Sequence, residues 1–500
     1  MKNYIKYMAL AAVVLTACEP ELDNPIDEVG FYTTGEVDLS NYVAVGNSLT
    51  AGYADGALYL TGQKNSYPNI MAGQFALAGG GEFTQPLVND NFGGLLAGGE
   101  QITENRFVLA VGEDGNPGPA RLAGMPTTEI SNTLTGPFNN MGVPGAKSFH
   151  LVAENYGNIA GVSTGAANPY FARFASSPSA TVIQDAVAQN PSFFSLWIGN
   201  NDILSFATSG GIGVDQTGNL DPSTYGSNDI TDPNVFASVY SQMVGALSAS
   251  ATGGILVNIP DITTIPYFTT VPYNAVPLDA ATAAGTNQAY ASYNGAIAQY
   301  GALGLISAEE AAARRINFQA GQNAVVILDE SLSPLVNPAD GSQIPLLRQA
   351  TADDLLVLTS SSVIGTLADP SDPTSVLGVG APLSDQYVLT TDEQAMVSAA
   401  QTAYNATISA LAAANDLILI NAEAALRQVF NGGIAYDGGV LTSVFATGGA
   451  FSLDGVHPTE RGYAYIANLM IKAINDKYNA TIPVVNIGNY NTITVSNDVN

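Results

Sequence analysis

Three side chains near opposite ends of the chain are of the types that together perform nucleophilic catalysis. Ser48 lies in the segment Gly-Asn-Ser-Leu-Thr-Ala-Gly at 46–52, and Asp454 and His457 lie in Leu-Asp-Gly-Val-His-Pro-Thr at 453–459. Because an aspartate and a histidine three positions apart on a turn can point the same way, the carboxylate can hold one imidazole nitrogen while the other faces a serine. Such a histidine can take the proton of a serine that attacks a carbonyl carbon. Taken alone, Ser48 could equally cap a helix.

Histidine is scarce in this chain, which narrows the choice of a general base. The 500 residues contain two histidines, His150 and His457. A serine esterase that needs an imidazole base therefore has two candidates. No acidic residue lies within three positions of His150, so we predict a packing or rim role for it. Considered without the other motifs, His457 could also be a capping or hydrogen-bonded core histidine.

Two further segments could supply hydrogen-bond donors for an oxyanion. Asn201 lies in Trp-Ile-Gly-Asn-Asn-Asp at 197–202, where a neutral amide can donate to a developing negative charge. In Asn-Met-Gly-Val-Pro-Gly-Ala-Lys at 140–147, Gly145 can bring a bare backbone N–H to the same place, since glycine permits a close approach. Gly142 is the competing choice in that segment. Both segments could also be plain turns.

The elements that must position these side chains alternate along the chain. Apolar runs bounded by Gly, Pro and Asn are typical of parallel strands that are covered on both faces. The strands predicted in this way are 42–45, 193–198, 255–259 and 417–420. Alanine-rich segments between and after them predict helices at 235–250, 392–414 and 459–478. The alternation predicts an α/β protein with a parallel sheet, with Ser48 at the carboxyl edge of the sheet.

The order of these motifs resembles that of the SGNH, or GDSL-type, hydrolases. Gly-Asn-Ser-Leu comes near the start, a glycine-bearing block follows, Gly-Asn-Asn-Asp lies mid-chain, and Asp-Gly-Val-His comes near the end. The resemblance implies a flavodoxin-like three-layer α/β/α sandwich with a parallel sheet, and hydrolysis of acyl esters. It implies that Ser48 is the nucleophile and that Asp454 and His457 complete the triad. It also implies that the backbone N–H groups of Ser48 and Gly145 and the side chain of Asn201 form the oxyanion hole.

One departure from the family pattern and one competing motif bear on the nucleophile. Asn47 stands where the family usually has an aspartate, and asparagine can keep the hydrogen bonds because the family's chemistry asks no proton transfer of that residue. The segment Gly-Val-Ser-Thr-Gly at 161–165 places Ser163 in the Gly-x-Ser-x-Gly pattern of a different esterase fold. That pattern must follow a buried strand and lead into a helix, and neither flank fits. We therefore predict that Ser163 is not the nucleophile.

The composition excludes several classes of function. With 14 Lys+Arg against 43 Asp+Glu, the formal net charge is −29 at pH 7, so the surface repels phosphate backbones and nucleic-acid binding is not expected. The glycine clusters lack the spacing that cradles phosphates. Two histidines and one cysteine do not provide the ligands typical of a catalytic zinc site, and we predict no metal and no cofactor.

The N-terminus predicts export and a lipid anchor. Lys2 and Lys6 precede an apolar run at 8–15 that is too short to span a bilayer, and Leu-Thr-Ala-Cys follows, ending at Cys18. This pattern resembles a bacterial lipoprotein processing box. We predict a signal peptide at 1–17, lipidation of Cys18, and a location at the cell envelope, with the outer membrane or cell surface favoured. An ordinary signal peptide with a chance cysteine is the alternative.

The remaining organisation follows from changes in composition. We predict an acidic tether at 18–38 and one SGNH hydrolase domain at 39–480, with loop insertions near 55–135 and 263–390. The last segment, 481–500, is a Thr/Val/Asn-rich extension that could add an edge strand.

The sequence leaves the substrate open. An ester of either an acyl lipid or an acylated glycan is compatible with the motifs. The composition of 23 tyrosines and a single tryptophan slightly favours lipid or simple acyl esters, since tryptophan platforms for sugar rings are nearly lacking, although tyrosines could substitute. The alternatives are a carbohydrate O-acetyl esterase of the same fold and a non-catalytic surface lipoprotein that captures nutrients. The sequence predicts no particular oligomeric state.

Overall fold

A computed structural model of the protein describes residues 31–112 and 115–500. The predicted signal peptide at 1–17 and Cys18, the predicted lipidation site, lie outside the described residues, as does most of the predicted tether. Across the described ranges, no helix combines the length and the apolar character needed to cross a bilayer.

A five-stranded parallel sheet forms the centre of the molecule. Its strands are β1 (Tyr42–Gly46), β2 (Asn140–Gly142), β3 (Phe193–Trp197), β4 (Gly253–Val257) and β5 (Ile418–Ile420). Their spatial order is β5-β4-β3-β1-β2, and every neighbouring pair is parallel. Read from the other edge, this order is 2-1-3-4-5, that of a flavodoxin-like sheet. The predicted fold class is therefore confirmed.

Helices cover both faces of this sheet. They are α1 (Ser48–Ala51), α2 (Tyr67–Leu77), α3 (Val182–Val187), α4 (Asn201–Thr208), α5 (Pro233–Ser248), α6 (Thr391–Ala414), α7 (Ala422–Asn431) and α8 (Glu460–Tyr478). Helix α8 packs beside α2, whereas α5 packs between α3 and α6. Right-handed connections between parallel strands place these two groups on opposite faces. The result is a three-layer α/β/α sandwich.

Burial explains why the strand predictions succeeded. Every residue of β1, β3 and β4 is buried, which requires side chains that are apolar on both faces of the sheet. The four predicted strands differ from the observed ones by one or two residues at their ends. The fifth strand, β2, was not predicted, because it has three residues and begins with an asparagine. It forms by pairing with β1, with Gly142 opposite Gly46.

The remaining elements belong to the long loops. Outside the two layers, the described α-helices are Leu60–Lys64, Pro169–Ala172, Pro266–Thr269, Ala280–Ala289, Ala291–Ala302 and Ala308–Ala313. Short antiparallel pairs are formed by Leu95–Ala97 with Glu100–Gln101, Phe107–Val111 with Pro117–Arg121, Val276–Leu278 with Gly321–Asn323, Val326–Leu328 with Leu347–Gln349, Leu335–Val336 with Gln343–Ile344, Leu355–Leu356 with Val388–Leu389, and Ile434–Tyr436 with Gly439–Leu441. Thr128–Glu129 pairs in parallel with Leu95–Ala97.

Two regions outside the central sheet, 271–388 and the C-terminal extension, form contacts of their own. Residues between 271 and 388 enclose a hydrophobic cluster of their own, centred on buried side chains such as Val325, Ile327 and Leu383. The C-terminal extension does not add an edge strand to the central sheet. Its Val495 instead pairs with Leu109 in the hairpin Phe107–Val111, because that hairpin offers unpaired backbone groups at its side.

Candidate active site

Ser48 begins the short helix α1 at the carboxyl end of β1. The residue before it, Asn47, is the N-cap, and Asn47 Oδ1 accepts a hydrogen bond from the Leu49 N–H at 3.0 Å. Ser48 is therefore not the helix cap, and its hydroxyl is free for another partner. Ser48 is 6% exposed, so a substrate must approach it through a cavity rather than across an open surface. The Nδ2 of Asn47 is buried without a hydrogen-bond partner, which is where an aspartate would have an oxygen.

His457 joins Ser48 to Asp454. His457 Nε2 lies 2.9 Å from Ser48 Oγ, and His457 Nδ1 lies 2.9 Å from Asp454 Oδ2. With Asp454 ionised, Nδ1 carries the proton that it donates to the carboxylate, and Nε2 is left to accept the proton of Ser48. The ring of Tyr53 packs against the imidazole, with 4.7 Å between the ring centres. The fold thus brings together the three side chains that the sequence singled out.

The carboxylate of Asp454 is surrounded by hydrogen-bond donors. Asp454 Oδ1 accepts from the backbone N–H groups of Val456 and His457 at 2.9 and 2.8 Å, and from Ser452 Oγ at 3.0 Å. Burial by itself raises the pKa of Asp454, but the interaction with His457 and the backbone donors outweighs it and lowers the pKa to about 2. Asp454 is therefore a carboxylate at any pH at which an imidazole can act as a base.

A turn at Asp55 and Gly56 holds the loop that carries Asp454. Asp454 Oδ2 accepts from the Gly56 N–H at 2.8 Å, Asp55 Oδ1 accepts from the Leu453 N–H at 3.0 Å, and Ser452 Oγ accepts from the Asp55 N–H at 2.8 Å. Asp55 is 1% exposed and has a φ of 53°, a left-handed conformation that aspartate tolerates. Sequence reasoning missed this turn. An Asp-Gly pair indicates a turn, but it does not indicate a partner almost 400 positions away.

The structure separates the two candidate glycines for the oxyanion hole. The Gly142 N–H donates to Asn140 Oδ1 at 3.0 Å, and Gly142 is buried where a Cβ would overlap the backbone of Ala51. Gly142 is thus a glycine because α1 packs tightly on β2. Gly145 is exposed, has a φ of 79°, and its N–H has no hydrogen-bond acceptor among the described residues. Gly145 is the better donor on these grounds.

Asn201 and the Gly145 segment are held together by side-chain contacts. Asn201 begins α4, is 8% exposed, and donates from Nδ2 to the Ala146 carbonyl at 2.9 Å. One residue further on, the fully buried Asp202 accepts from the N–H and Oγ of Ser148 at 2.8 and 2.6 Å. Asp202 was not predicted as a positioning residue, although it lies in the same motif as Asn201. The two contacts fix the relative position of the two candidate donors.

The alternative catalytic residues lie in different surroundings. His150 Nδ1 accepts from the Lys147 N–H at 3.1 Å, and its ring stacks on Tyr156 with 4.6 Å between ring centres. Burial, with a smaller contribution from Lys147, lowers the pKa of His150 to about 4. Ser163 is exposed in a 3-10 turn, Ile159–Thr164, that no strand precedes directly. Neither residue has the contacts that a triad needs.

A largely apolar cavity begins at Ser48 and His457. The volume accessible to water inside it is about 120 Å³, below the roughly 300–1,000 Å³ that is usual for small-molecule sites. Asn201 also lines it. Further in, the walls are apolar side chains from β4, β5, α7, α8 and the loop before α8, among them Val257, Ile420, Ala425, Leu426, Ile466 and Phe451. Such walls suit an apolar chain better than a sugar.

These groups can activate a hydroxyl, stabilise an oxyanion and bind an apolar substituent. None of these steps calls for a metal or a cofactor, whose absence stays a prediction from the sequence.

No protein-family model and no curated protein sequence matches the chain. Among solved structures, it is similar to an α/β hydrolase enzyme from the metagenome of Lake Arreo, Spain, with 10% identity over 88% of this chain and 96% of that chain and a TM-score of 0.31. It is also similar to an acetylxylan esterase from Geobacillus stearothermophilus, with 10% identity, the same two coverages and a TM-score of 0.31. Likenesses at this level carry no argument about function, which depends on the geometry of the site.

Proposed function

We propose that this protein is a serine-dependent carboxylic ester hydrolase of the SGNH type, with Ser48, His457 and Asp454 as its catalytic triad. The observation that carries the proposal is the chain of two 2.9 Å contacts from Ser48 Oγ through the imidazole of His457 to Asp454. A continuous series of this kind at the mouth of a cavity matches the requirements of nucleophilic acyl transfer.

In the proposed mechanism, His457 Nε2 takes the Oγ proton of Ser48 as Oγ attacks the ester carbonyl carbon. The N–H groups of Ser48 and Gly145 and the Nδ2 of Asn201 donate to the oxyanion of the tetrahedral intermediate. The intermediate collapses when His457 returns its proton to the leaving alcohol, and Ser48 is left acylated. Water, deprotonated by His457, then attacks the acyl-enzyme and releases the carboxylic acid. The carboxylate of Asp454 stabilises the imidazolium in both half-reactions.

The cavity favours an ester with an extended acyl chain as the substrate. Its walls beyond Ser48 are almost wholly apolar, and each methylene transferred from water to such a site contributes about 0.8 kcal/mol. If this energy is expressed in the transition state, kcat/KM rises roughly fourfold per methylene while the chain is still entering the cavity. A carbohydrate O-acetyl esterase would gain nothing from these walls, because an acetyl group fills only their first part.

The decisive experiment compares Ser48→Ala with Ser163→Ala. We expect Ser48→Ala to lower kcat on aryl esters of four to eight carbons by at least about 10⁴-fold, because removing the nucleophile leaves only binding and the oxyanion donors. Ser163→Ala removes an exposed hydroxyl and should retain turnover. A fluorophosphonate probe should label the wild type at Ser48. Wild-type turnover by Ser48→Ala would refute the proposal, and binding of esters without turnover or labelling would support the nutrient-capturing alternative.

We further propose that the enzyme acts at the bacterial cell envelope, held by a lipid on Cys18. The motif that ends at Cys18 and the apolar run before it support this location. Cys18→Ser is expected to move the protein out of the membrane fraction of cells, and an unchanged distribution would contradict the anchor.

A further inference from the structure

Three carboxylates meet where the 271–388 region contacts the core. Glu330 follows the strand Val326–Leu328, Asp385 precedes the strand Val388–Leu389, and Glu393 lies in the first turn of α6. One oxygen from each of the three lies within 4.8 Å of the others. The cluster therefore joins two residues of the 271–388 region to one residue of the core.

The most buried of the three carboxylates has an oxygen without a partner. Glu393 is 5% exposed, and its Oε2 accepts from the N–H and Oγ1 of Thr390 at 2.6 and 2.8 Å, which caps α6. Its Oε1 is buried and makes no hydrogen bond, and the same is true of Asp385 Oδ1. Leaving a buried polar atom unsatisfied costs roughly 1–3 kcal/mol, and more for a charged group. Two such atoms in one cluster are free to accept a ligand.

The arginine that binds the residue next to Glu330 is fully engaged by other carboxylates. Arg348 binds Asp329 Oδ2 at 2.5 Å and both carboxylate oxygens of Asp354 at 2.6 and 2.7 Å. No lysine or arginine of the described ranges forms a salt bridge with Glu330, Asp385 or Glu393. Within the described ranges, no basic side chain balances the charge of the cluster.

Two glycines let the backbone after α4 lie directly beside the carboxylate cluster. Gly211, which follows α4, has a φ of 84°, and a Cβ there would overlap Glu393 Oε1. A Cβ at Gly210 would likewise overlap the Asp385 carbonyl. Glycine at these two positions lets the chain after α4 pass directly against the carboxylates.

We propose that Glu330, Asp385 and Glu393 bind a hard divalent cation, Ca²⁺ in preference to Mg²⁺. Ca²⁺ binds carboxylate oxygens at about 2.3–2.6 Å, so two oxygens on opposite sides of one ion lie up to about 5 Å apart, as the spacing of this cluster requires. Mg²⁺ requires shorter bonds in near-ideal octahedral geometry, which the three irregularly placed groups satisfy less readily.

Such an ion would link the 271–388 region to the core beside α4, a helix that contributes to the proposed catalytic site. It would hold that region against the first turn of α6 and the end of α4, the helix that begins with Asn201. Binding to the folded state alone stabilises that state in proportion to the logarithm of the free ion concentration.

The test measures ion binding and thermal unfolding of the full chain after treatment with a chelator. We expect calorimetry to show one Ca²⁺ per chain with a dissociation constant between about 10⁻⁵ and 10⁻³ M, and weaker binding of Mg²⁺. Ca²⁺ should raise the unfolding midpoint by several degrees above the value in NaCl of equal ionic strength. The NaCl reference is needed because a chain with a net charge of −29 is stabilised by screening alone.

Two variants and one control decide the assignment. Glu330→Gln removes a ligand whose recorded polar interactions are with the other two carboxylates of the cluster. Glu393→Gln keeps an acceptor for the Thr390 cap. Each should weaken Ca²⁺ binding at least tenfold. Asp353→Asn neutralises an exposed carboxylate of the same region and should bind Ca²⁺ like the wild type. The proposal is overturned if NaCl reproduces the whole stabilisation, if Mg²⁺ binds more tightly than Ca²⁺, or if Glu330→Gln binds Ca²⁺ as well as Asp353→Asn does.

Discussion

Two buried carboxylate environments in this protein differ in how their charge is balanced. Asp454 accepts hydrogen bonds from three backbone N–H groups, a serine hydroxyl and the imidazole of His457, and its pKa is lowered to about 2 although burial opposes this. Glu393 accepts two hydrogen bonds from Thr390 on one oxygen, and burial together with repulsion by Glu330 and Asp385 raises its pKa. The chain completes the first environment with its own donors and leaves the second to an outside partner.

This difference shows what makes a buried negative charge useful. At Asp454 the hydrogen-bond donors orient the carboxylate toward the imidazole of His457. The charge of Asp454 therefore acts on Ser48 through that ring. At the carboxylate cluster the like charges repel one another, and together they attract a cation.

Among changes that leave the Ser48 nucleophile in place, Asp454→Asn is expected to have the largest effect. An amide at this position presents N–H groups to His457 Nδ1 and to the Gly56 N–H, which favours the wrong imidazole tautomer, and kcat should fall by about 10³–10⁴-fold with little change in KM. Steady-state kinetics on an aryl ester measures this. Asp353→Asn, the exposed control, should keep wild-type kcat, and a loss below tenfold in Asp454→Asn would mean that Asp454 does not orient the base.

The pH dependence of stability tests the same carboxylate. Because the folded pKa of Asp454 lies near 2 and its ordinary value is 3.8, the carboxylate contributes about 2 kcal/mol of stability that is present above pH 4 and is lost as the pH falls toward 2. Urea unfolding of the wild type and of Asp454→Asn should therefore show a gap in unfolding free energy that narrows between pH 4 and 2. A gap that is the same at both pH values would contradict the role assigned to these hydrogen bonds.

A smaller effect is expected from Asn201→Ala, which removes a neutral donor beside the triad. Loss of one oxyanion donor typically costs about 10²–10³-fold in kcat, and KM should change little because the donor acts mainly in the transition state. Asn200→Ala is matched in burial, at 5% against 8% exposed, and Asn200 Oδ1 has no hydrogen-bond partner, so kcat should change less than threefold. If both variants lose activity to the same extent, the effect is structural and Asn201 is not a donor.

The smallest effect is expected from Ala425→Phe, which leaves every charge in place and fills part of the cavity. We expect kcat/KM for an eight-carbon ester to fall about tenfold, while that for an acetyl ester changes less than twofold, since each excluded methylene forfeits about 0.8 kcal/mol. Ala424→Phe places the same side chain on the exposed side of α7 and should affect neither ester. Equal losses on both esters would show that the cavity does not bind the acyl chain.

The sequence was a good guide to the fold where burial acts on continuous runs. β1, β3 and β4 are apolar at nearly every position because both faces of the sheet are covered, and their positions could be read to within two residues. Strand β2 could not be predicted in the same way. Its three residues, Asn140–Gly142, have no strand pattern of their own and depend on hydrogen bonds to β1.

For the candidate site, the sequence indicated residue types and the structure supplied distances. Ser48, Asp454 and His457 could be chosen because imidazoles are rare and their motifs follow predicted strands or precede a predicted helix. The turn at Asp55 and Gly56 could not be identified from the sequence as part of the site. The contacts of Asp55 with Ser452 and Leu453 join segments that are almost 400 positions apart. The sequence left Gly142 as a competitor of Gly145, and the structure bears on that choice by showing that the Gly142 N–H is already bonded.

The sequence was enough to indicate the alternation of strands and helices, the acidic character of the protein and the residue types at the proposed site. These properties depend on local patterns and on composition, which do not require knowledge of distant contacts. The tertiary structure alone decided that Asn47 rather than Ser48 caps α1, that the cavity beyond His457 is apolar, and that Glu330, Asp385 and Glu393 converge. Each of these depends on where separate segments meet, and that is determined by the packing of the whole chain.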